Sequence, residues 1–278
     1  MIIDFRLRPA FDNYTGSFLF DFQDKVKFAP KFGTDIPLSV QQKSVEICLL
    51  EMDEVGVNIG LVPARKCFDV TNDALESFLK QYPGRFWGLA ALDPDDPQKA
   101  LEEIERYVIE GSCVGVSVEP GLTKIPQKCN SPQMEVIYQK CEELNIPILL
   151  SFGGLCYPRL DDFQPTMLDN VAKDFPKLNI VLAHGGYPWI TEVSWIALSC
   201  ENVYLSPDIY GMHAPGAYNY IQAANYFLQE QVIFASAYPS VSLKSAVDFY
   251  QNCGLDVNIL PKFMYLNALK ALNMENFI

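Results

Sequence analysis

The sequence has little histidine, since only His184 and His213 occur among its 278 residues. This count excludes any metal site that needs three or four imidazole ligands. No apolar stretch approaches the roughly eighteen residues of a membrane-spanning helix. The first residues also lack the charged-then-apolar layout of a signal peptide. We therefore expect a cytoplasmic protein that does not bind membranes.

Signatures of nucleotide binding and of disulfide frameworks are absent as well. No Gly-x-Gly-x-x-Gly or Gly-Lys-Ser/Thr loop occurs, so no nucleotide site is predicted. The eight cysteines include no Cys-x-x-Cys pair, and we interpret them as buried thiols of a reducing compartment, with a redox or nucleophilic cysteine as the alternative. Basic residues are outnumbered, and the formal net charge of −13 argues against nucleic acid as a partner.

What the chain does have is a regular alternation of short apolar runs and amphipathic stretches. Apolar residues make up 49% of it, enough for a large core. The pattern predicts strands near 2–7, 58–62, 86–91, 113–118, 147–151, 179–183, 202–205 and 231–235. It predicts helices near 38–55, 72–82, 97–110, 132–144, 166–175, 188–200, 216–229, 241–252 and 260–273. This order predicts an α/β protein, a single (β/α)₈ TIM barrel over residues 1–278, with 9–37 as a lid or insertion at its mouth.

The first strand carries two of the six arginines of the chain. Because strand residues alternate between faces, the apolar side chains of 3–7 should pack under the helices. Asp4, Arg6 and Arg8 should then point into the barrel, where catalytic residues of this fold lie. If nearby carboxylates, Asp4, Glu119 or Asp208, neutralise both arginines, the cluster is structural. If one guanidinium stays free, it fits a carboxylate or phosphate bidentately.

Three stretches resemble motifs of a known family. They are VLAHGGYPW at 181–189, FASAYP at 234–239 and the pair Asn267-Ala268. They resemble the sixth-strand, eighth-strand and closing motifs of the amidohydrolase-related barrel family, which includes metal-dependent hydrolases and decarboxylases of aromatic and muconate-type acids. The resemblance extends over the whole chain and implies a metal-dependent-hydrolase-like TIM barrel.

The departures from this family concern its metal ligands. Its first strand usually ends in Asp-x-His-x-His, but here Arg6 and Arg8 stand at both histidine positions. Ser151 stands at the fifth-strand histidine position and Ala237 at the eighth-strand aspartate position, so only His184 is kept. A guanidinium about 4 Å from a divalent ion repels it by roughly 8 kcal/mol at an effective dielectric constant of about 20. We therefore expect no metal and no other cofactor.

Strand-end residues make up the predicted site. The predicted catalytic residues are His184, Asp208 and Glu119, and the predicted substrate-binding residues are Arg6, Arg8, Ser151 and Tyr238. His184 should be a general base or proton shuttle, because neighbouring arginines disfavour its charged form. Asp208 or Glu119 should support it or hold an arginine. Each assignment has a structural alternative: a satisfied core histidine, a turn-forming aspartate, or an aromatic side chain that only packs.

The resemblance implies an enzyme that hydrolyses or decarboxylates a small carboxylate-bearing metabolite, and the departures imply that it needs no metal. The alternative is a non-catalytic barrel that has kept an anion-binding pocket. A metalloenzyme with a relocated cysteine or glutamate site is a weaker third hypothesis. The predicted partner is a small anionic molecule. The resemblance favours homodimers, although no feature of the sequence specifies one.

Overall fold

A computed structural model describes residues 1–277 of the chain. Within these residues, seven strands form one parallel sheet in which neighbours follow chain order. The strands are β1 (Ile3–Asp4), β2 (Ile59–Pro63), β3 (Phe86–Leu92), β4 (Cys113–Val118), β5 (Ile148–Ser151), β6 (Ile180–Ala183) and β7 (Val203–Ser206). Parallel neighbours require a crossover between successive strands, and helices supply it. The structure is therefore the predicted TIM-like α/β fold.

The helices follow the predicted pattern closely. They are α1 (Phe22–Phe28), α2 (Leu38–Gln42), α3 (Val45–Val55), α4 (Asn72–Gln81), α5 (Pro97–Ile104), α6 (Pro132–Glu143), α7 (Pro165–Asp174), α8 (Ile190–Ser199), α9 (Tyr218–Asn225), α10 (Leu243–Asn252) and α11 (Asn267–Ala271). The predicted helix over 38–55 is split, because Lys43 adopts a left-handed backbone (φ +52°) that ends α2. π-Helical turns extend α5 and precede α11. No helix in residues 1–277 is long and apolar enough to cross a membrane.

The predicted eighth strand is present only as an isolated parallel bridge between Leu205 and Val232. The Ile233 amide donates to the Leu205 carbonyl at 2.8 Å. On the other side, the Phe5 amide donates to the Phe234 carbonyl at 3.1 Å. The segment 231–235 therefore joins β7 to the residues that follow β1 without forming a regular strand.

The prediction for the faces of the first strand was wrong. Ile3 and Phe5 pack in the apolar cluster that side chains of β2, β3, β5, β6 and β7 share inside the curled sheet, and Leu7 alone packs in the outer core. Ile3 and Phe5 share the inner face of β1, so the faces of the strand were assigned the wrong way round. β1 ends at Asp4, whose carboxylate accepts the amide of Arg6 at 3.1 Å, and beyond this turn Leu7 packs in the outer core. The two-residue alternation therefore does not continue along the predicted strand.

The segment 9–37 consists mainly of short helices and is not an irregular loop. It contains α1 and three 3₁₀ turns, at Asp12–Gly16, Phe18–Phe20 and Ala29–Phe32. Two of its buried side chains contact other parts of the fold. Tyr14 Oη donates to the carbonyl of Pro63 at the end of β2 at 2.7 Å, and Lys25 Nζ donates to the carbonyl of Pro239, which follows the segment 231–235, at 2.6 Å. These contacts hold the segment beside the carboxyl ends of the strands.

Candidate functional site

A cavity of about 400 Å³ lies at the carboxyl ends of the strands. Its polar lining includes Arg6, Arg8, Lys25, Arg65, Cys67, Cys156, His184 and Tyr210, and its apolar lining includes Phe18, Phe28, Phe32 and Phe68. A larger cavity, of about 750 Å³, lies between α8 and α9, but no charged residue lines it. Charged side chains also line a cavity of about 420 Å³ between α4 and α5, but only the cavity at the strand ends combines such groups with the predicted site residues Arg6, Arg8 and His184.

Arg6 and Asp208 form a buried ion pair at this cavity. The Arg6 Nη1 lies 3.1 Å from Asp208 Oδ2, which also accepts the backbone amide of His184 at 3.2 Å. The other oxygen of Asp208 accepts the amide of Ile209 at 2.5 Å. Burial raises the pKa of Asp208, and Arg6, Arg8 and the two amides reverse that rise only in part. Because every recorded contact donates to the carboxylate, we take it as ionised and the charge of Arg6 as compensated.

A second buried ion pair joins Arg65 and Glu119. Arg65 places Nε at 2.8 Å and Nη2 at 2.5 Å from Glu119 Oε1. Ser151 Oγ donates to the same oxygen at 3.2 Å, and Cys67 Sγ donates to Oε2 at 3.3 Å. Burial raises the pKa of Glu119, but the Arg65 guanidinium outweighs burial and the net pKa is lowered. Glu119 is therefore an anion that compensates Arg65.

Arg8 has no such partner. Its Nε donates to the Tyr238 carbonyl at 2.9 Å and its Nη2 to the Ala237 carbonyl. Within residues 1–277, no carboxylate oxygen lies within 4 Å of this guanidinium, and Nη1 has no hydrogen-bond partner. Burial and the neighbouring Arg6 and Arg65 lower the pKa of Arg8 to about 9. The side chain is still a cation at neutral pH, and although Asp208 and Asp4 act on it electrostatically, no carboxylate of the described residues contacts it.

Lys25 is a second cation that lacks a carboxylate partner in the part of the chain that the structure describes. It lies on α1, and only 6% of its surface is exposed. Its one recorded partner is the Pro239 carbonyl. Burial and the positive charge of Arg8 lower the pKa of Lys25 to about 7. Both effects penalise a charged amine that no anion stabilises.

His184 is a buried, neutral imidazole. Burial and the guanidiniums of Arg6, Arg65 and Arg8 hold the pKa of His184 well below its usual value. Its Nε2 lies 3.9 Å from Asp208 Oδ2, and its Nδ1 lies 3.5 Å from Cys156 Sγ.

The pair of Cys156 and His184 has the composition of a cysteine nucleophile and its base. Burial, however, raises the pKa of the Cys156 thiol to about 11. The reactive form of cysteine is the thiolate, which needs a lowered pKa. All eight cysteines are free thiols; six are buried as predicted, whereas Cys67 is exposed and Cys253 is half-buried. Cys156 is not activated as a nucleophile.

The backbone is strained just after β6, β7 and the segment 231–235. His184 (φ +70°), Asp208 (φ +45°) and Ala237 (φ +58°) all adopt left-handed conformations, which cost on the order of 1–2 kcal/mol for residues other than glycine. Gly185 follows His184 with φ +57°, and a Cβ there would lie 2.8 Å from the Cα of Pro207. The His-Gly-Gly sequence therefore lets the chain turn sharply and place the imidazole at the cavity.

The structure brings most of the predicted site residues together. Arg6, Arg8 and His184 line the cavity, and Asp208 lies directly behind Arg6 and His184. Glu119 and Ser151 contact each other beside Arg65. The structure does not bring Tyr238 to the cavity.

The phenol of Tyr238 is fully buried and donates to Ser39 Oγ at 2.7 Å. Only its backbone carbonyl contributes, as an acceptor for Arg8. Sequence reasoning missed Arg65, Lys25 and Cys156. Arg65 could have been predicted, because it lies just after β2, where catalytic residues of this fold occur. Lys25 lies in the segment 9–37, which contains no strand, so the sequence does not indicate that it reaches the cavity.

The donors present do not fit the metal of the family that the sequence resembles. Two of the positions carry guanidiniums, Arg6 and Arg8, and a third carries Ala237, which has no donor atom. Within residues 1–277, no three His, Cys, Asp or Glu side chains are grouped so as to hold a metal ion. Ser151 is engaged with Glu119. We therefore derive no chemical step from a metal at this site.

Comparisons with known proteins agree with this geometry. The family described as amidohydrolase matches residues 30–274. The uncharacterized TIM-barrel protein Bb4693 from Bordetella bronchiseptica is similar in structure, with a TM-score of 0.93 and 29% identity over 99% of each chain.

Two curated proteins are similar over shorter stretches. A 2-keto-4-carboxy-3-hexenedioate hydratase from Sphingobium sp. is 25% identical over 178 residues, 52% of this chain and 51% of its own. A gamma-resorcylate decarboxylase from Rhizobium sp. is 26% identical over 170 residues, 51% of this chain and 52% of its own. The chain thus spans about half the length of the curated relatives it matches.

Proposed function

This chain belongs to the amidohydrolase family, and from that premise we propose that it is an enzyme that hydrolyses or decarboxylates a small carboxylate-bearing metabolite without a metal at the family's position. The observation that carries the proposal is the guanidinium of Arg8, buried at the cavity without a carboxylate partner within residues 1–277. Burying a charge without a partner is costly. An anionic ligand removes that cost and pairs with a planar fork of donors suited to a carboxylate.

His184 is the proton carrier in this proposal. In the free protein it is neutral and able to accept a proton. An anion bound at Arg8 weakens the positive field that depresses its pKa and so makes it a stronger base. After it accepts a proton, Asp208, whose Oδ2 is 3.9 Å from Nε2, stabilises the imidazolium. Asp208 is thus a positioning residue that holds both Arg6 and the backbone of His184.

The two reaction types use the same groups. In hydrolysis, water gives its proton to His184 while its oxygen bonds to the acyl carbon, and an N–H donor of Arg8 stabilises the oxyanion. The bond from the acyl carbon to the leaving oxygen or nitrogen then breaks, and the imidazolium of His184 returns the proton to that leaving group. In decarboxylation, the carbon–carbon bond breaks with loss of CO₂, and the carbon takes a proton from solvent through His184. Neither route needs Glu119, which is engaged with Arg65, or Ser151, which donates to Glu119.

The rest of the cavity fits an apolar substrate body. Phenylalanine side chains from the segment 9–37 and from the turn after β2 line it, and they are Phe18, Phe28, Phe32 and Phe68. Sites for small molecules are commonly apolar with a few fixed polar groups. Sequence and structure together therefore support an aromatic or hydrophobic carboxylic acid, and the segment 9–37 acts as the cover of the site.

Calorimetric titration with benzoate tests the binding part of this proposal. We expect Arg8→Met to weaken binding by about 10- to 100-fold, since a charge-assisted hydrogen bond contributes about 1.5–3 kcal/mol. Lys27→Met is the control, because Lys27 is exposed and pairs with Asp24. Benzoate affinity that is the same in wild type and in Arg8→Met would contradict the proposal.

A non-catalytic anion-binding protein is the second candidate, and one observation favours it: Asp208 and Glu119 are both held in ion pairs with arginines. His184→Asn separates the two candidates. Turnover is assayed as CO₂ release and as acid production from a panel of aromatic acids, esters and lactones. An enzyme loses turnover in this variant but keeps its affinity for benzoate. A binding protein shows no turnover in either form.

A further inference from the structure

We propose that the cavity binds a dianion, a dicarboxylate, whose second carboxylate is held by Lys25 of the covering segment. The inference rests on the proposed function, because it takes Arg8 as the site of the first carboxylate. It adds a substrate class and a specificity-determining residue, Lys25, which neither the family's motifs nor the strand ends indicate.

Three successive carbonyl groups hold the two cations side by side. The Ala237 and Tyr238 carbonyls accept hydrogen bonds from Arg8, and the Pro239 carbonyl accepts one from Lys25. Neighbouring Cα atoms are about 3.8 Å apart, so one short stretch of backbone fixes an amine and a guanidinium next to each other. Each cation keeps further N–H donors for a ligand, since a guanidinium has five and an ammonium three.

The balance of buried charge at the cavity indicates how many carboxylates the ligand carries. Four cations line the cavity, namely Arg6, Arg8, Lys25 and Arg65. Two of them have buried carboxylate partners, Asp208 and Glu119. A third buried carboxylate, Asp4, forms hydrogen bonds with Ser236 and the Arg6 amide and no ion pair with a cation of the described residues, and burial raises its pKa, which favours the neutral acid. His184 is neutral. A monocarboxylate leaves one buried cation uncompensated, whereas a dicarboxylate compensates both, so complementarity favours the dianion.

The state of Lys25 in the free protein agrees with this count. Its pKa is lowered to about 7 by burial and by Arg8, and its Nζ donates to the Pro239 carbonyl rather than to a carboxylate. A carboxylate placed there favours the charged amine again. Lys25 lies on α1 of the segment 9–37, so the covering segment itself supplies the second binding group.

The test is calorimetric titration at pH 6, where the amine of Lys25 is protonated. Benzoate is compared with phthalate, isophthalate and terephthalate, and butyrate is compared with succinate and glutarate, so that several spacings of the two carboxylates are sampled. We expect at least one dicarboxylate to bind wild type ten or more times tighter than its monocarboxylate.

Lys25→Met should abolish this gain while changing the affinity for benzoate by less than about threefold. Lys27→Met, on the same helix but 71% exposed, should behave as wild type. Lys25→Arg keeps the charge and should keep the preference, which also covers the case in which Lys25→Met does not fold.

The failures are distinguishable. If no dicarboxylate binds better than its monocarboxylate, or if Lys25→Met weakens both classes equally, the dianion site is wrong while the carboxylate site at Arg8 stands. If benzoate binding does not depend on Arg8, the proposed function fails first.

Discussion

Arg6 and Arg8 illustrate how two like residues acquire different roles. They are two positions apart and both lie at the cavity. Arg6 meets Asp208 at 3.1 Å, whereas Arg8 meets only backbone carbonyls in the described chain. A paired buried charge is structural, and an unpaired one awaits a ligand. In the proposed function, the structural alternative that the sequence left open therefore applies to Arg6 and the ligand-binding alternative to Arg8.

Loss of the Arg6–Asp208 pair should destabilise the fold. Arg6→Met leaves Asp208 as a buried carboxylate without its counter-ion, and we expect the free energy of unfolding to fall by about 3–5 kcal/mol. Urea denaturation followed by circular dichroism measures it. Arg106→Met is the control, because the Arg106–Asp73 pair is about two-thirds exposed on both sides and should change stability by less than about 1 kcal/mol. Equal losses in the two variants would argue against a buried, structural pair.

The affinity for the dicarboxylate should depend on pH through Lys25. The amine has a pKa of about 7 when the site is empty, and a carboxylate binds its charged form. Affinity should therefore fall as pH rises from 6.5 to 8. In Lys25→Arg the charge does not titrate in this range, so the profile should be flat.

Other groups that face the cavity do not account for such a change. The pKa of His184 lies well below 6.5 and that of Arg8 is about 9. The pKa values of Cys67, Cys156 and Tyr210 are raised to about 12, 11 and 12. A pH dependence that persists in Lys25→Arg would assign the titration to another group.

At the scale of elements, the segment 231–235 shows how side chains replace a missing strand. Only one bridge links it to β7. Asn267, at the start of α11, donates through Nδ2 to the carbonyls of Gln229 and Val232 at 3.1 and 2.8 Å. The Asn-Ala motif that the sequence shares with the family is thus a structural clamp between the last helix and the irregular segment. The carbonyls that hold Arg8 and Lys25, those of residues 237–239, follow shortly after that segment.

Removal of this clamp should therefore affect stability. Asn267→Ala leaves two carbonyl groups without their donor, and we expect a loss of about 1–3 kcal/mol in the free energy of unfolding. The control is Asn252→Ala, because Asn252 is exposed and makes one bond to Asp248 within α10. Guanidinium denaturation of both variants measures the difference. A loss no larger than that of the control would mean that α11 is held by packing alone.

At the scale of the whole molecule, the chain carries a net charge of −13 while its cavity concentrates positive charge. Burial of Arg8 and Lys25 without carboxylate partners in the described chain destabilises the free protein. In the proposed function, a dianionic ligand pairs with both cations and removes this destabilisation. A single domain over the whole chain and a homodimer are both still predictions, and sedimentation analysis measures the second directly.

Ligand binding should raise the stability of the entire fold. At a concentration of 100 times its Kd, a dicarboxylate stabilises the native state by about 2.7 kcal/mol. For a domain of this size that corresponds to a rise in Tm of roughly 4–5 °C. Scanning calorimetry should show one transition that moves as a unit. Two transitions, of which only one moves, would contradict a single domain and place the site in one part of it.

The sequence by itself determined the local structure and the family. Helix positions follow from apolar periodicity and capping residues, which are properties of short segments, and the predicted helices appear within a few residues. The motif around His184 also predicted its place at the end of β6 correctly. These features depend on neighbours in the chain, so the chain order suffices to find them.

Only the tertiary structure decided which charges meet. Lys25 and Pro239 are 214 residues apart, and Arg65 and Glu119 are 54 apart. Nothing in the chain order marks these pairs. The turn after Asp4 separates Leu7, in the outer core, from Ile3 and Phe5 inside the curled sheet, and the buried bond to Ser39 holds the phenol of Tyr238 away from the cavity. Whether a buried charge is neutralised depends on distances of a few ångströms across the fold, and that is what separates Arg8 from Arg6.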